Sequence, residues 1–214
     1  MIDVHSWTTG NARKVYIMLE ECGFDYRVFP VDLGKGEQFA PAFLKISPNN
    51  KIPAIIDHDG PEGGDYSLFE SGAILMYLAD KTGKFLPVDP HARLHTLQWL
   101  MFQMGNLGPM FGQAGHYITK NDDASLHYAR AHFLQEAQRL MRVLDARLAQ
   151  SEYIAGKDYT IADIATYPWC EQPDKRGLEH EDYPNLKRWF DRVSERAAVK
   201  KVQLLCEDIR EGKI

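Results

Sequence analysis

After Phe69 the chain shows no convincing strand pattern again, and this asymmetry limits the fold more than any other feature. Ahead of it, alternating apolar and polar residues predict strands over 2–7, 26–32, 52–57 and 66–69. Val15, Ile17, Met18, Leu19 and Cys22 recur at helical spacing, so a helix is predicted over 14–22, ended by Gly23. A short helix is predicted over 38–46 and a longer one over 71–82, stopped by Gly83. Asp59-Gly60 and Gly63-Gly64 bracket a hairpin loop.

The resulting order, β-α-β-α-β-β-α, is that of a thioredoxin-like α+β domain. Its first two strands run parallel through a crossover helix, and a hairpin joins the last two. Residues 85–92, with Pro87 and Pro90, read as a linker. Helical patterns then cover 91–118, 124–151, 161–170, 184–197 and 199–209. Gly105, Gly108-Pro109, Gly112 and Gly115 must kink or loosen the first of these. The second carries Phe133, Leu134, Ala137, Leu140, Met141, Leu144 and Leu148 on one face. The expected domains are 1–84, α+β, and 93–214, all helical; a chain of 214 residues can fill both. Thr160-Ile161-Ala162-Asp163 reads as a capping box whose role is folding rather than chemistry, with Tyr159 and Ile164 placed as a hydrophobic staple.

Charge and cysteine content narrow the function. A net charge of -5 argues against general nucleic-acid binding, which wants a basic face. Cys22, Cys170 and Cys206 are odd in number and far apart, so they suggest neither a disulfide framework nor a metal site. The N-terminal residues lack a charged segment followed by an apolar one, and no apolar run approaches the ~18 residues of a membrane span. A cytoplasmic protein without membrane association is expected.

Two stretches carry the candidate site. In Asn49-Asn50-Lys51-Ile52-Pro53-Ala54, a proline opens a strand, where its missing N–H is not needed. A cis Ile52-Pro53 bond would leave the Ile52 backbone to meet an extended ligand. In Leu68-Phe69-Glu70-Ser71-Gly72-Ala73, a carboxylate and a hydroxyl stand where a helix begins, and the N–H groups there suit a ligand carboxylate. Together they suit a small extended peptide with a charged end.

These motifs, with Ser47-Pro48 ahead of the first and Tyr159 to Ala165 far downstream, resemble the cytosolic glutathione transferase family in order and spacing over nearly the whole chain. Val31 to Gly36 with Gln38, and Leu107-Gly108-Pro109-Met110 with Gly112-Gln113, resemble its bacterial nu class of glutathione-dependent disulfide-bond oxidoreductases. The resemblance implies a glutathione transferase fold, glutathione as cosubstrate without a metal, and a homodimer. It assigns Ile52, before Pro53, to the cysteinyl backbone of glutathione. Glu70 and Ser71 take the γ-glutamyl end, Gln38 and Lys51 the glycine carboxylate, and Thr9 and Asn11 the sulfur. One departure stands out. The class carries an Arg for a second glutathione in its long helix, and His132 occupies that position here. Arg130 lies roughly 200° round the helix and cannot replace it. A neutral His grips a carboxylate less well than a bidentate Arg.

Each assignment has a plainer rival. Thr9 and Asn11 are common helix caps, Glu70 suits any helix start, and Lys51 suits any surface. Trp7, Trp99, Phe102, Met104 and Tyr117 could line a second-substrate cleft or simply form core. No Cys or Tyr stands over residues 8–11, so the chain offers no nucleophile of its own there. The expected activity is disulfide reduction by bound glutathione thiolate. Its rivals are conjugation or peroxide reduction, and a glutathione-binding dimer with little turnover.

Overall fold

The computed structural model describes residues 1–120 and 124–214. They form two compact units, Met1–Lys84 with Glu195–Ile214, and Phe85–Ser194.

The first unit holds a four-stranded sheet in the order β2-β1-β3-β4. β1 (Ile2–Ser6) runs parallel to β2 (Tyr26–Pro30) and antiparallel to β3 (Ala54–Asp57), which pairs antiparallel with β4 (Tyr66–Phe69). This is the thioredoxin-like arrangement the sequence predicts. Successive side chains alternate between faces, and the register Val4↔Ile55 puts Ile2, Val4 and Ile55 on one of them, all buried. Asp57 shares that face and accepts from Tyr77 of α3 (Ser71–Thr82), which shows where the helix lies. Helix α1 (Gly10–Cys22) packs on α3. On the opposite face Ala54 packs with Val31, Ile52 and Phe43 of the short helix α2 (Pro41–Leu44), and Trp7, Ile46 and Phe69 close that cluster.

The strand expected over 52–57 begins two residues later, at Ala54, and the helix expected from 14 begins at Gly10. The expected helix over 38–46 is a 3-10 turn, Glu37–Phe39, followed by α2. In each case the apolar period located the buried part of the element, whereas caps and turns fixed its ends.

In the second unit, α4 (Pro90–Phe102) leads through a π-helical turn, Gln103–Leu107, into α5 (Gly108–Ile118). The break expected from the glycines is this turn. Pro109 supplies no N–H to the preceding turn, and a Cβ on Gly108 would sit 3.0 Å from the Gln103 amide nitrogen. Helix α6 (His127–Leu148) buries Ala137, Leu140, Met141, Leu144 and Leu148, as its periodicity predicts. Helices α7 (Ile161–Cys170) and α8 (Pro184–Ser194) complete the unit. The capping box forms: Ala162 N donates to the Thr160 hydroxyl at 3.3 Å, and Thr160 N donates to Asp163 at 2.9 Å. Asp163 also accepts from Ile154 N and the Trp189 indole, each at 2.9 Å. It therefore ties α7 to α8 as well as capping its own helix.

Helix α9 (Ala197–Arg210) belongs by contact to the first unit, whereas the sequence reading placed it in a helical domain over 93–214. Its buried residues Val199, Val202, Cys206 and Ile209 pack along α1. Arg196 makes two hydrogen bonds to Glu21, and Lys201 pairs with Glu20. Residues 85–92, expected as a linker, run into α4 at Pro90 and group with the second unit. Among the described residues no helix is long and apolar enough to cross a membrane.

Candidate functional site

The site is a cleft in the first unit, lined by Asn11, Lys51, Ile52, Pro53, Phe69, Glu70 and Ser71. Its volume of about 140 Å³ exceeds what one water needs, so it can receive a ligand fragment. Six of the nine residues singled out from the sequence meet there, from three separate stretches of chain.

The first wall is the loop ahead of β3. The Ser47 hydroxyl, fully buried, donates to Lys51 O at 2.7 Å, and Asn50 N donates to Ser47 O at 3.0 Å. These bonds curl the loop, with Asn50 at φ 49. The Ile52-Pro53 bond is cis, as expected. The Ile52 N–H and C=O lie outside the sheet ladder, which starts at Ala54. Lys51 is exposed at the rim.

The second wall is the start of α3. Glu70 sits at its N-cap with φ 71 and ψ 111, and its side chain makes no capping bond. A non-glycine residue held at such a φ costs of order 1–3 kcal/mol, a cost typical of sites where direction matters. The carboxylate is exposed at the mouth, while Ser71, the first helical residue, is buried. No acidic residue stands in the first turn of α3, so its N-terminal N–H groups and dipole keep their positive character for a ligand.

The third wall is the start of α1, where Asn11 lines the cleft. Thr9 is the N-cap of that helix, its Oγ accepting from Ala12 N at 3.4 Å, and it is not among the lining residues. A hydroxyl that accepts still has its hydrogen to donate. Gln38 lies in the 3-10 turn away from the lining, with its buried Oε1 lacking a hydrogen-bond partner among the described residues.

Two family models match the chain: Glutathione S-transferase, N-terminal domain, over residues 3–80, and Glutathione S-transferase, C-terminal domain, over residues 107–197. The chain belongs to the glutathione S-transferase family. It is similar to the disulfide-bond oxidoreductase YfcG of Escherichia coli (strain K12), at 48% identity over 199 residues covering 92% of each protein. A glutathione transferase family member from Pseudomonas fluorescens pf-5, solved with two glutathione bound, shares 44% identity. It superposes with a TM-score of 0.86 over 94% of this chain and 91% of that one. A glutathione transferase from Pseudomonas putida, solved with one glutathione disulfide bound per subunit, shares 41% identity. Its TM-score is 0.87, over 94% of this chain and 90% of that one.

The remaining candidates lie in places the sequence only partly suggests. His132 is exposed on α6, stacked on Tyr128 at 6.1 Å and edge-on to Phe133 at 5.2 Å. Arg130 is tied to the end of α5, donating to Tyr117 O and Lys120 O, so its guanidinium is engaged elsewhere. Trp7 packs in the first unit's core, Trp99 pairs edge-on with Phe102, and Tyr117 stacks on Phe133. Tyr16 is fully buried and serves packing. None of the three cysteines lines the cleft. Burial raises the Cys22 thiol and pushes that of Cys170 up to about 12, which disfavours the nucleophilic thiolate in both. Among the described residues no cluster of His, Cys, Asp or Glu is arranged to hold a metal.

Sequence reading missed two residues beneath the cleft. Ser47 opens the motif ahead of Pro53 and curls its loop through Lys51 O. Lys14 is 1% exposed, and its ammonium donates to the Ser71 hydroxyl at 3.4 Å. Burial lowers its pKa to about 7, a fall partly opposed by the charge of Glu70. The signal was present: Lys14 stands three and four residues before Ile17 and Met18, on the face that α1 buries.

Proposed function

We propose that the cleft binds glutathione and that the chain uses the bound thiolate to reduce disulfides. The observation carrying this reading is the convergence of Asn11, Lys51, Ile52, Pro53, Glu70 and Ser71 on one cleft. Ile52 offers backbone donor and acceptor groups to the cysteinyl residue. Glu70 faces the α-ammonium, Ser71 and the start of α3 take the α-carboxylate, and Lys51 and Gln38 address the glycine end. On this reading the sulfur lies by Asn11, Thr9 and the N-terminus of α1.

A free thiol has a pKa of about 8.5; donors to sulfur and a helix N-terminus lower it. The thiolate then attacks one sulfur of a disulfide, forming a mixed disulfide with glutathione and expelling the other sulfur as thiolate. A second glutathione thiolate attacks the glutathione sulfur of that intermediate. Glutathione disulfide leaves with the remaining thiolate. Two glutathiones are oxidised, one disulfide is reduced to two thiols, and no protein thiol takes part. The relatives named for or solved with these species support the reading. His132, standing where the class carries Arg, implies a looser hold on the second glutathione. As in the family, the chain is read as a cytoplasmic homodimer with an isologous contact, which sedimentation equilibrium at micromolar concentration tests.

The test is a coupled assay with glutathione and, in turn, a small disulfide, a hydroperoxide and an aryl halide. The disulfide should turn over fastest, and a variant with Cys22, Cys170 and Cys206 all changed to Ala should keep most of that rate if it folds. A faster rate with the peroxide or halide, or loss of activity in the folded triple variant, would overturn the proposal.

A further inference from the structure

We propose that Arg176 makes a cavity of the second unit selective for an aromatic carboxylate. The inference is independent of the reading of the cleft and concerns residues of the second unit alone. The cavity measures about 500 Å³, and its lining includes Phe111, Gly112 and Gly115 of α5 together with Trp169, Lys175 and Arg176. Small-molecule sites span roughly 300–1,000 Å³ and pair apolar walls with a few polar groups. Phe111 and Trp169 are such walls, and they suit an aromatic body. The two glycines leave the room. Both lie inside α5, where glycine weakens a helix relative to alanine. A Cβ on Gly112 would come within 3.7 Å of the Trp169 ring, and one on Gly115 within 3.8 Å of the Arg176 Cγ. Longer side chains there would fill the space.

The guanidinium of Arg176 shows what the cavity selects. It lies 5.7 Å from the ring centres of both Phe111 and Trp169. Nη1 donates to Glu171 O at 2.7 Å and to Gln172 O at 3.2 Å. Ring contacts and carbonyls therefore fix the group before a ligand arrives. Among the described residues, every hydrogen bond from this guanidinium leaves through Nη1. The edge formed by Nε and Nη2 is left over. Elsewhere in this protein that same edge holds a carboxylate. Arg27 grips Asp3 with it at 2.9 Å through both nitrogens, and Arg139 grips Glu136 at 2.8 and 2.7 Å. Two parallel N–H groups match the two oxygens of a carboxylate. Asp174 also lines the cavity, and its charge and that of Glu171 act on Arg176. Lys175 sets a second cation against Asp174 on the same wall. Partial burial strengthens the attraction of Arg176 for an anion relative to a fully solvated cation.

The test uses two probes of the same shape on the full chain: 2-naphthoate, and its neutral amide, 2-naphthamide. Calorimetry on the wild type should show 2-naphthoate binding the more tightly by about tenfold or more, the scale of a hydrogen bond to a charged group. Arg176→Gln should lose that margin for the carboxylate and change little for the amide. Gly115→Leu should weaken both probes alike, because it fills the cavity without touching the charge. Should Arg176→Gln fail to fold, Arg176→Lys keeps the charge, loses the paired N–H edge and should narrow the same margin. A wild type that binds neither probe, or binds both equally, would overturn the proposal. So would an unchanged margin in the Arg176 variant, or Gly115→Leu affinities equal to those of the wild type, which would place the probe elsewhere.

Discussion

Asn11 and Thr9 stand two residues apart at the start of α1 and carry different duties. Asn11 lines the cleft, whereas Thr9 caps the helix. A hydrogen bond to a thiolate is worth about 1.5–3 kcal/mol, and one pKa unit corresponds to about 1.36 kcal/mol. Asn11→Ala should therefore raise the pKa of the bound glutathione thiol by about one to two units. Thr9→Ala should do the same and in addition lose about 1 kcal/mol of stability as a cap. Ultraviolet titration of the thiolate and a denaturant melt separate the two effects. An unchanged thiol pKa in both variants would reduce these residues to caps.

His58 gives a second test at the same scale. Its ring bonds Asp65 at 2.6 Å and Asp3 at 3.0 Å, and these two carboxylates, Asp65 first, hold its pKa above the ordinary value. The folded state therefore keeps the proton longer than the unfolded chain. The stabilisation is fully present below pH of about 6.5 and fades as pH rises through the raised folded value. Exposure and salt keep it modest. The imidazole midpoint followed by NMR should lie above that of a free histidine and drop in Asp65→Asn. A wild-type midpoint at or below the free value would contradict the geometry.

At the scale of elements, the start of α7 does more than a helix cap requires. Asp163 is fully buried and accepts from Thr160 N, Ile154 N and the Trp189 indole. Asp163→Ala strands those donors at about 1–3 kcal/mol each, so a loss of about 4 kcal/mol or more is expected. That is a large part of a typical domain's stability. Thr160→Ala removes one cap and should cost only about 1 kcal/mol. Urea melts of both variants decide: losses of similar size would mean that the ties to Ile154 and Trp189 contribute little. The TIAD run announced this cap in the sequence, but its partners Ile154 and Trp189 lie 9 and 26 residues away, and no local rule points to them.

At the scale of the molecule, the last helix belongs by packing to the first unit. Val199, Val202, Cys206 and Ile209 are each essentially buried. At about 1.5–3 kcal/mol for a fully buried aliphatic side chain, removing α9 should cost the first unit several kcal/mol. A chain ended after Ser194 should therefore show a far lower melting temperature, reported by the near-ultraviolet signal of Tyr16 and Tyr26, whose rings lie 6.4 Å apart beside α9's partner α1. A melt unchanged by the truncation would show that the contact is incidental.

The sequence by itself determined the elements and the order in which they follow: four strands with two-residue periods, helices with apolar faces, and motifs that local chemistry makes readable. Pro53 at a strand start, Glu70-Ser71 at a helix start and the Thr160–Asp163 cap each follow from a few adjacent residues, because caps and turns are local. Only the tertiary structure decided which of the candidate residues meet. It brought Asn11 beside Ile52 and Ser71, left Gln38 and Thr9 off the cleft lining, and attached α9 to α1. It also placed the ammonium of Lys14 against Ser71. Periodicity says that a residue faces inward; only the packing of other elements says what it meets there, which for Lys14 is the Ser71 hydroxyl.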